Sequence, residues 1–429
     1  GPAERYRRFL AAARGSVRVV TGTRAAAFAP VGNLGLVVIW DDGDDLHAEP
    51  RAPYPSARDL LVLRAHLAGA AALLGGHART AEAHQLLTTG WAHEIAAARP
   101  TVREVAPRVA ATGDDAELAR DAGARTARLP TLAWRTAREA LAAGAPVLVQ
   151  VPRRGYVPAL ACARCRAPAR CPACSGPLGA GAGGGVPACR WCGRPAADWA
   201  CPTCAGTRLR AAVVGAGRTA EELGRAFPGV PVRSSGGDTV LAEVPAEPAL
   251  VVATPGAEPR VPGGYGAALL LDGWALLTRP DLRAAEEALR RWVNAAALVR
   301  PAGAGGRVVI AADAGLPVVQ ALVRWDAGGF AGRELAERGE LGFPPARRFA
   351  SLTGSPAAVA ELVAAAHLPP TAEPLGPVAA GDGVERLLLR VPRPDGLALA
   401  RALHAAAAVR SARKAPDPVR VQLDPLELF

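Results

Sequence analysis

Short apolar runs separated by amphipathic segments alternate along the first part of the chain. The run LGLVVIW, at 34–40, is continuously apolar, which is typical of a buried parallel strand. Before it, AERYRRFLAAARG predicts a basic helix that continues into a strand, VRVVTG. After it come an acidic loop, a helix at about 56–70 and a short strand, ALLGG. We interpret residues 1–128 as the second half of an α/β domain.

A second α/β unit begins near Pro130. Thr131 is placed to cap a helix that runs to about 143, and PVLVQVP at 146–152 predicts a strand. A later helix is predicted from Thr219, which has capping-box spacing to Glu222. The remaining strand segments of this unit are RLRAAVVGAG, VPVRS, ALVVAT, GAALLLD and RVVIAA. A helix around 281–298 lies before the last of them, and we place the end of the unit near residue 315.

The last hundred residues have a different order of elements. Residues 318–340 predict one amphipathic helix or two. The tail that follows reads strand (FASLTG), helix (PAAVAELVAAA), strand (ERLLLRVP), helix (LALARALHAAAAV) and strand (VRVQLDP). This order predicts a C-terminal α+β domain of the split-βαβ kind over 316–429.

Composition and charge narrow the class of protein. The chain of 429 residues has 50 basic and 39 acidic side chains, and 50 minus 39 gives a net charge of +11. Nearly all the basic residues are arginine, whose planar fork suits phosphates and base edges, although a GC-rich coding sequence also enriches arginine. No apolar run is long enough for a membrane span, and no signal segment is visible. We expect a cytoplasmic, nucleoid-associated monomer and, because Met is absent, a piece of a longer chain.

Eight cysteines form four C-x-x-C pairs within 162–204. Two residues between thiolates allow both sulfurs of a tight turn to reach one metal, so four turns predict two four-cysteine zinc sites inserted in the second α/β unit. The spacing leaves open whether the pairs combine in nested or sequential order. Closed sites of this kind hold small folds together and do no chemistry. Arginines and Trp191 around the cysteines could contact DNA or a partner protein, or could be solvated surface.

The chain lacks the residues of a phosphate-binding P-loop. Its only lysine is Lys414, and Ala415 follows it, whereas a P-loop needs Lys followed by Ser or Thr. A motor ATPase therefore cannot use a P-loop drawn from these residues.

Several long segments, in the same order, resemble the replication-restart helicase family of primosomal protein N′ (PriA). The resemblance covers nearly the whole chain. The segments that carry it are RVVTGTRAAAFAPVGNLGLVVI, YPSARD, VLVQVPRRGYVPALAC with the cysteine block, LLTRPDLRAAE and ELAERGELGFPPARR. The family implies two RecA-like helicase lobes with a double zinc module inserted in the second, followed by a C-terminal domain. The expected domains are the incomplete first lobe (1–128), the second lobe (129–315, insertion at 160–206) and the C-terminal domain (316–429).

The family also implies which residues share a metal. One zinc would be held by the outer pairs, Cys162, Cys165, Cys201 and Cys204. The second would be held by the inner pairs, Cys171, Cys174, Cys189 and Cys192. By position in matching motifs, the candidate DNA contacts are Arg24, Tyr54, Arg58, Arg153 and Arg154.

The chain departs from the family where ATP chemistry is done. The D-E-E-H motif falls on Trp40-Asp41-Asp42-Gly43, and a slip of one residue would bring Asp41 into the metal-binding position. The G-S-A-T segment falls on Gly75-Gly76-His77-Ala78. The arginine-finger motif, G-R-A-G-R, falls on Ala297-Leu298-Val299-Arg300-Pro301, so neither of its arginines is in place. Phosphoryl transfer needs positioned Mg²⁺, Lys and Arg. The resemblance is therefore to a helicase-deficient branch, without catalytic residues and without support for ATP and Mg²⁺ as cofactors.

The favoured interpretation is a replication-restart protein that binds forked and single-stranded DNA and helps to reload the replicative helicase. Its implied partners are that helicase and its loader, single-strand binding protein and other primosome proteins. Two alternatives remain at this point. The first is an active ATP-dependent 3′–5′ helicase, with Asp41 as metal ligand; the second is a zinc-ribbon interaction protein that never binds DNA.

Overall fold

The computed structural model describes most of the chain. The described residues are 1–112, 129–152, 160–165, 167–180, 185–189, 192–211, 216–277, 279, 281–381 and 383–428. They form two compact units, one of residues 1–93 with 331–428 and the other of residues 94–330. Among the described residues, none lies in a helix that is both long and apolar enough to cross a membrane.

Helices and strands alternate along the described chain. The helices are α1 (Pro2–Ala13), α2 (Ala57–Ala68), α3 (Ala81–Thr88), α4 (Arg99–Val105), α5 (Thr131–Ala142), α6 (Ala216–Ala226), α7 (Gly273–Leu277), α8 (Ala284–Ala296), α9 (Pro317–Arg324), α10 (Ala327–Leu341), α11 (Pro356–Ala365) and α12 (Gly396–Ala412). The strands are β1 (Leu36–Trp40), β2 (Ala71–Gly75), β3 (Arg108–Ala111), β4 (Val147–Gln150), β5 (Leu160–Cys162), β6 (Leu178–Gly179), β7 (Ala188–Cys189), β8 (Leu209–Ala211), β9 (Val232–Ser235), β10 (Leu250–Ala253), β11 (Ala267–Leu270), β12 (Arg307–Ile310), β13 (Arg347–Gly354), β14 (Glu373–Gly381), β15 (Val384–Pro392) and β16 (Arg420–Leu423).

The first 93 residues contain a two-stranded parallel sheet. Strand β1 pairs with β2 from Leu36–Ala71 to Trp40–Gly75, and α2 connects the two strands. On one face, Ile39 packs with buried alanines of α2 and of the preceding 3₁₀ turn. On the other face, Leu36, Val38 and Trp40 are more than half exposed, so the prediction that this strand is buried on both faces is wrong. The predicted strand VRVVTG is also absent, because residues 17–22 make no ladder pairing.

The second unit is built on a six-stranded parallel sheet. Its strand order is β3-β12-β11-β4-β10-β9, and both faces are covered by helices. Helices α5 and α6 pack on one face through residues such as Ala133 and Leu223. Helices α8 and α9 pack on the other through Trp292 and Leu322. The mixed α/β class with a parallel sheet is confirmed, and the near-continuous apolar runs of its strands follow from burial on both faces. The RecA-like nature of the lobes stays a prediction.

Several predicted boundaries shift in this unit. Helix α6 begins at Ala216, so Thr219 lies inside it and the capping-box prediction is wrong. Strand β3 lies in the range assigned to the first lobe, but it pairs with β12 at the edge of the six-stranded sheet. Residues 318–340 form two helices, separated where Trp325 takes a left-handed backbone conformation (φ 51°). The guanidinium of Arg99 donates to the carbonyls of Arg324 and Trp325 and so caps α9.

The C-terminal region is a four-stranded antiparallel sheet with two helices. The strand order is β14-β15-β13-β16, and the chain order is βαββαβ. This is the split-βαβ order that we predict for the tail, with one strand, β14, more than its segments indicate. Helices α11 and α12 pack on one face through Leu362, Leu399 and Leu403. Strand β14 has no clear signal in the sequence, because EPLGPVAAG is rich in proline and glycine and its side chains are mostly exposed at the sheet edge.

Candidate metal centres and nucleic-acid contacts

Two paired strands connect the cysteine block to the rest of the second unit. Strands β5 and β8 run antiparallel, so the two ends of segment 160–211 lie side by side. The segment RLRAAVVGAG is predicted to be a strand of the second α/β unit, but its residues Leu209–Ala211 pair with β5 instead of joining the parallel sheet. The segment also has its own small core, formed by cysteines with Leu160, Leu178 and Trp199. This is the geometry of an insertion, which a domain tolerates because the ends of the added segment are close together.

Each C-x-x-C pair is folded as a tight turn that is closed by backbone hydrogen bonds. The N–H after the second cysteine donates to the carbonyl of the first at 2.8–3.0 Å in three of the turns, from Ser175, Gly193 and Ala205. These three residues have positive φ, between 55° and 71°. In all four turns the N–H of the first cysteine donates to a carbonyl beyond the second, on Ala167, Gly176, Arg194 and Gly206. The repeated turn directs both thiols of a pair to one side.

The turns combine in nested order. Cys162, Cys165, Cys201 and Cys204 form one cluster, and Cys171, Cys174, Cys189 and Cys192 form the other. Within each cluster, all four sulfurs lie within 4.8 Å of one another. These are the two sets that the family resemblance implies, and the sequential order left open by the spacing is not the one seen.

The spacing of the sulfurs fits a tetrahedral zinc ion. Zn–S bonds of about 2.3 Å at tetrahedral angles place two sulfurs roughly 3.8 Å apart. The Sγ atoms of Cys171 and Cys192 are 3.8 Å apart, and those of Cys162 and Cys204 are 3.5 Å apart. None of the eight cysteines is in a disulfide. Either cluster can therefore hold a metal ion, and an all-sulfur donor set is consistent with zinc.

The peptide backbone favours the ionised form of the leading thiols. A hydrogen bond from the backbone N–H of Cys165 is the main cause of a lowered pKa at Cys162. The backbone N–H of Ala173 does the same for Cys171. Since a metal binds thiolate rather than thiol, these amides prepare the first ligand of each cluster.

Trp199 connects the segment of the outer cysteine cluster to the segment of the inner cluster. Its side chain is 5% exposed, and its indole Nε1 donates a 3.0 Å hydrogen bond to the carbonyl of Arg170. Trp199 lies just before the outer-cluster Cys201, and Arg170 lies just before the inner-cluster Cys171. Arg166, Arg190 and Trp191, which are near the cysteines in sequence, lie outside the described residues.

The segment that matches the family's metal-binding motif lies at the carboxyl end of β1. Trp40 is 61% exposed, and its indole meets the His77 ring edge-on at a centroid distance of 5.5 Å. Asp41 takes a left-handed conformation (φ 58°). The next carboxylate, Asp42, turns inward and is 8% exposed. Of the residues described, no acidic group gathers here into a cluster that could hold a metal ion.

Asp42 is bound from two directions by protein groups. The Thr80 hydroxyl donates to its Oδ2 at 2.6 Å, and Arg58 Nη1 lies 3.3 Å from the same oxygen. The Arg58 side chain, 11% exposed, also pairs with Asp59 at 2.9 Å and lies 3.8 Å from Glu82. Burial raises the pKa of Asp42, while Arg58 and Thr80 oppose that rise. The surrounding carboxylates raise the pKa of Arg58 despite its burial, so it stays charged.

The other predicted DNA contacts differ in their exposure and in their partners within the protein. Arg24 pairs with Glu49 at 3.0 Å, and its side chain is 34% exposed. Tyr54 is half-buried, with its ring 4.8 Å from the Arg420 guanidinium. Arg153 and Arg154 lie outside the described residues. Tyr54 and Arg58 have separate partners within the protein, and their contact with DNA stays a prediction.

Sequence reasoning missed the partners of these residues. Thr80 and Glu82 lie at the start of α3, where Thr80 Oγ1 also accepts from the N–H of Ala83 at 3.0 Å. The pattern T-A-E-A identifies Thr80 as a helix cap, but nothing in it indicates a bond to Asp42. Arg420 lies far along the chain from Tyr54, and no local pattern links the two.

The chain is similar in sequence to known proteins over its whole length. The family described as "Primosomal protein N C-terminal domain" matches residues 339–426. The "Probable replication restart protein PriA" of Mycobacterium tuberculosis (strain ATCC 25618 / H37Rv) is 57% identical over 451 aligned positions, which cover 100% of this chain and 68% of the relative. That of Mycobacterium leprae is also 57% identical, again over 100% of this chain and 68% of the relative. The "Replication restart protein PriA" of Bacillus subtilis is 26% identical over 52% of this chain and 28% of its own length. The chain therefore belongs to the PriA family of replication restart proteins.

Proposed function

We propose that this protein binds forked and single-stranded DNA and helps to reload the replicative helicase, without helicase activity of its own. Membership of the PriA family supports the process, since the relatives are replication restart proteins. The net charge of +11, almost entirely from arginine, supports a polyanionic partner. The replicative helicase, its loader and single-strand binding protein are the proposed protein partners.

The observation that carries the proposed loss of motor function is Trp40, which stands at the end of β1 where the family's motif has its first metal-binding carboxylate. A helicase needs carboxylates free to hold Mg²⁺ beside the nucleotide phosphates. Here the one inward-facing carboxylate at the end of β1 is bound by a guanidinium and a hydroxyl of the same chain. A cation placed there would have to displace Arg58 and leave a buried guanidinium without this partner. Asp41, the alternative ligand, belongs to no metal-binding group among the described residues.

We propose that each cysteine cluster binds one Zn²⁺ ion with a structural role. Four thiolates close the coordination sphere, so no position remains for water or substrate. The module's core consists largely of the cysteines themselves, and this makes its fold dependent on the metal.

Fork binding at two salt concentrations tests the proposed function. Labelled forked DNA is titrated with the intact protein at about 50 and 200 mM salt, because released counterions make phosphate-mediated binding weaken steeply with salt. Steep salt dependence is the expected result. Absence of binding, or binding insensitive to salt, would contradict the proposal and favour a zinc-ribbon protein that recruits only other proteins.

A further inference from the structure

Two arginines and a threonine lie side by side across the C-terminal sheet. In the strand register, Thr353 of β13 pairs directly with Arg386 of β15 on one side and with Arg420 of β16 on the other. Directly paired residues direct their side chains to the same face of a sheet. Adjacent strands are about 4.8 Å apart, so the two arginine backbones flank the threonine at a separation of roughly 10 Å.

This row faces away from α11 and α12, the two helices that pack on the C-terminal sheet. The neighbouring residues Leu352, Leu387 and Val421 point to the opposite face, where they pack with the helix residues Leu362 and Leu403. Because side chains alternate along a strand, Arg386, Thr353 and Arg420 belong to the face opposite α11 and α12. Arg420 is exposed, while Arg386 and Thr353 are half-exposed.

The two guanidinium groups of the row are not neutralised. Among the residues that the structure describes, neither Arg386 nor Arg420 makes an ion pair with an acidic side chain. Arg390 on the same face shows the contrast, because it pairs with Glu373 on the neighbouring strand. Two uncompensated cations around a hydroxyl group are suited to bind phosphate, since arginine donates in a fork and threonine adds a further donor.

An aromatic ring completes the row. The Arg420 guanidinium carbon lies 4.8 Å from the centroid of the Tyr54 ring, which is within cation–π distance. Tyr54 has a left-handed backbone conformation (φ 59°), which is uncommon for a bulky residue. Tyr54 and the C-terminal sheet belong to the same compact unit. The contact orients Arg420 and places a half-exposed aromatic surface beside the two cations.

We propose that Arg386, Thr353, Arg420 and Tyr54 form a binding site for single-stranded DNA. The arginines and the threonine bind consecutive backbone phosphates, and Tyr54 with the Arg420 guanidinium supports a neighbouring base by stacking. Cationic grooves combined with stacking side chains are how single strands are bound without sequence preference. The inference rests on the proposed DNA-binding function and assigns that function a site.

A charge-matched pair of variants tests the site. Arg386→Ala/Arg420→Ala removes the two cations of the row. Arg401→Ala/Arg413→Ala removes two exposed arginines at α12, on the helix side of the same domain. Both variants lose the same charge, so a difference between them reports position rather than net charge. Binding to labelled oligo-dT and to a fork with a single-stranded arm is measured by fluorescence anisotropy at several salt concentrations.

The row variant is expected to bind oligo-dT roughly tenfold more weakly for each lost arginine contact. Its slope of log affinity against log salt should fall by about 0.7 for each lost phosphate contact on a single strand. The helix-side variant should keep the wild-type slope. Tyr54→Ala should weaken binding without changing the slope, and Tyr54→Phe should restore it, because stacking needs the ring and not the hydroxyl. Circular dichroism confirms that each variant is folded.

The outcomes separate the two proposals. If the wild-type protein binds DNA and the row variant matches the helix-side variant, the site is wrong and the DNA-binding function stands. If the wild-type protein binds neither oligo-dT nor the fork, both the function and the site are overturned.

Discussion

Arg58 Nη1 lies 3.3 Å from Asp42 Oδ2, and the two side chains are 11% and 8% exposed. The pair links the start of α2 to the end of β1, and Thr80 at the start of α3 binds the same carboxylate oxygen. An ion pair and a hydrogen bond thus hold three elements together at the carboxyl end of β1. In a motor protein, this edge would hold a metal ion and a nucleotide. The relationship explains how the fold can persist while the proposed motor function is lost.

Removing Arg58 should destabilise the unit that contains it. Arg58→Ala leaves Asp42 buried without its cation, and such a loss costs about 3 kcal/mol of unfolding free energy. The exposed partner gives the control, since Asp59→Asn should cost less than about 1 kcal/mol. Urea denaturation followed by circular dichroism measures both. Equal midpoints for the two variants would show that the buried pair contributes no more than a surface one.

Zinc removal should unfold the cysteine module and leave the two α/β units folded. Cys171→Ser/Cys174→Ser removes two ligands of the inner cluster, and we expect the bound zinc, measured by atomic absorption, to fall from two ions to one or none. Trp199 should then become exposed, because its buried position depends on both halves of the module. Its emission is isolated by subtracting the spectrum of a Trp199→Phe variant.

The same variant should retain most of its far-ultraviolet circular dichroism and a cooperative thermal transition. The physical reason is that β5 and β8 close the module on itself, while the six-stranded sheet has separate cores. Loss of the whole transition would contradict the view of the module as an insertion.

Glu258 should give the second unit a specific pH dependence. Burial raises the pKa of this carboxyl, although Gln150 Nε2 donates to its Oε1 at 2.7 Å. A raised pKa in the folded state means that folding favours the protonated form. The stability from this group is therefore present at low pH and lost as pH rises through the folded-state pKa.

Comparison with Glu258→Gln isolates that contribution. The unfolding free energy of the wild-type protein minus that of the variant should increase as pH falls from about 8 to 5. Chemical denaturation at several pH values measures this difference. A difference that is constant, or that decreases toward low pH, would contradict the assignment.

The sequence predicted the elements whose signal is local. The C-x-x-C spacing identified the cysteine turns, and the apolar runs identified the strands of the six-stranded sheet. The split-βαβ order of the tail also followed from its periodicity, except for β14, whose prolines and glycines hide an edge strand. These features depend on residues close together in the chain.

The missed features depend on contacts between distant segments. Leu36, Val38 and Trp40 read as buried on both faces, because apolar content alone does not show how many neighbours cover a sheet. The place of Arg58 beside Asp42, and of Tyr54 beside Arg420, depends on how separate elements pack. The position of Arg58 in a matching motif predicted a contact with DNA, whereas the structure shows Arg58 paired with Asp42 of the same chain.

ATP hydrolysis by the intact protein, with Mg²⁺ and forked DNA present at saturating concentration, tests the central claim most directly. The account predicts that the fork is bound while the rate of phosphate release equals that without protein. It also predicts that Asp42→Ala leaves this rate unchanged. Hydrolysis that is stimulated by the fork and abolished by Asp42→Ala or Asp41→Ala would show that these carboxylates hold a working metal site, and would contradict the account.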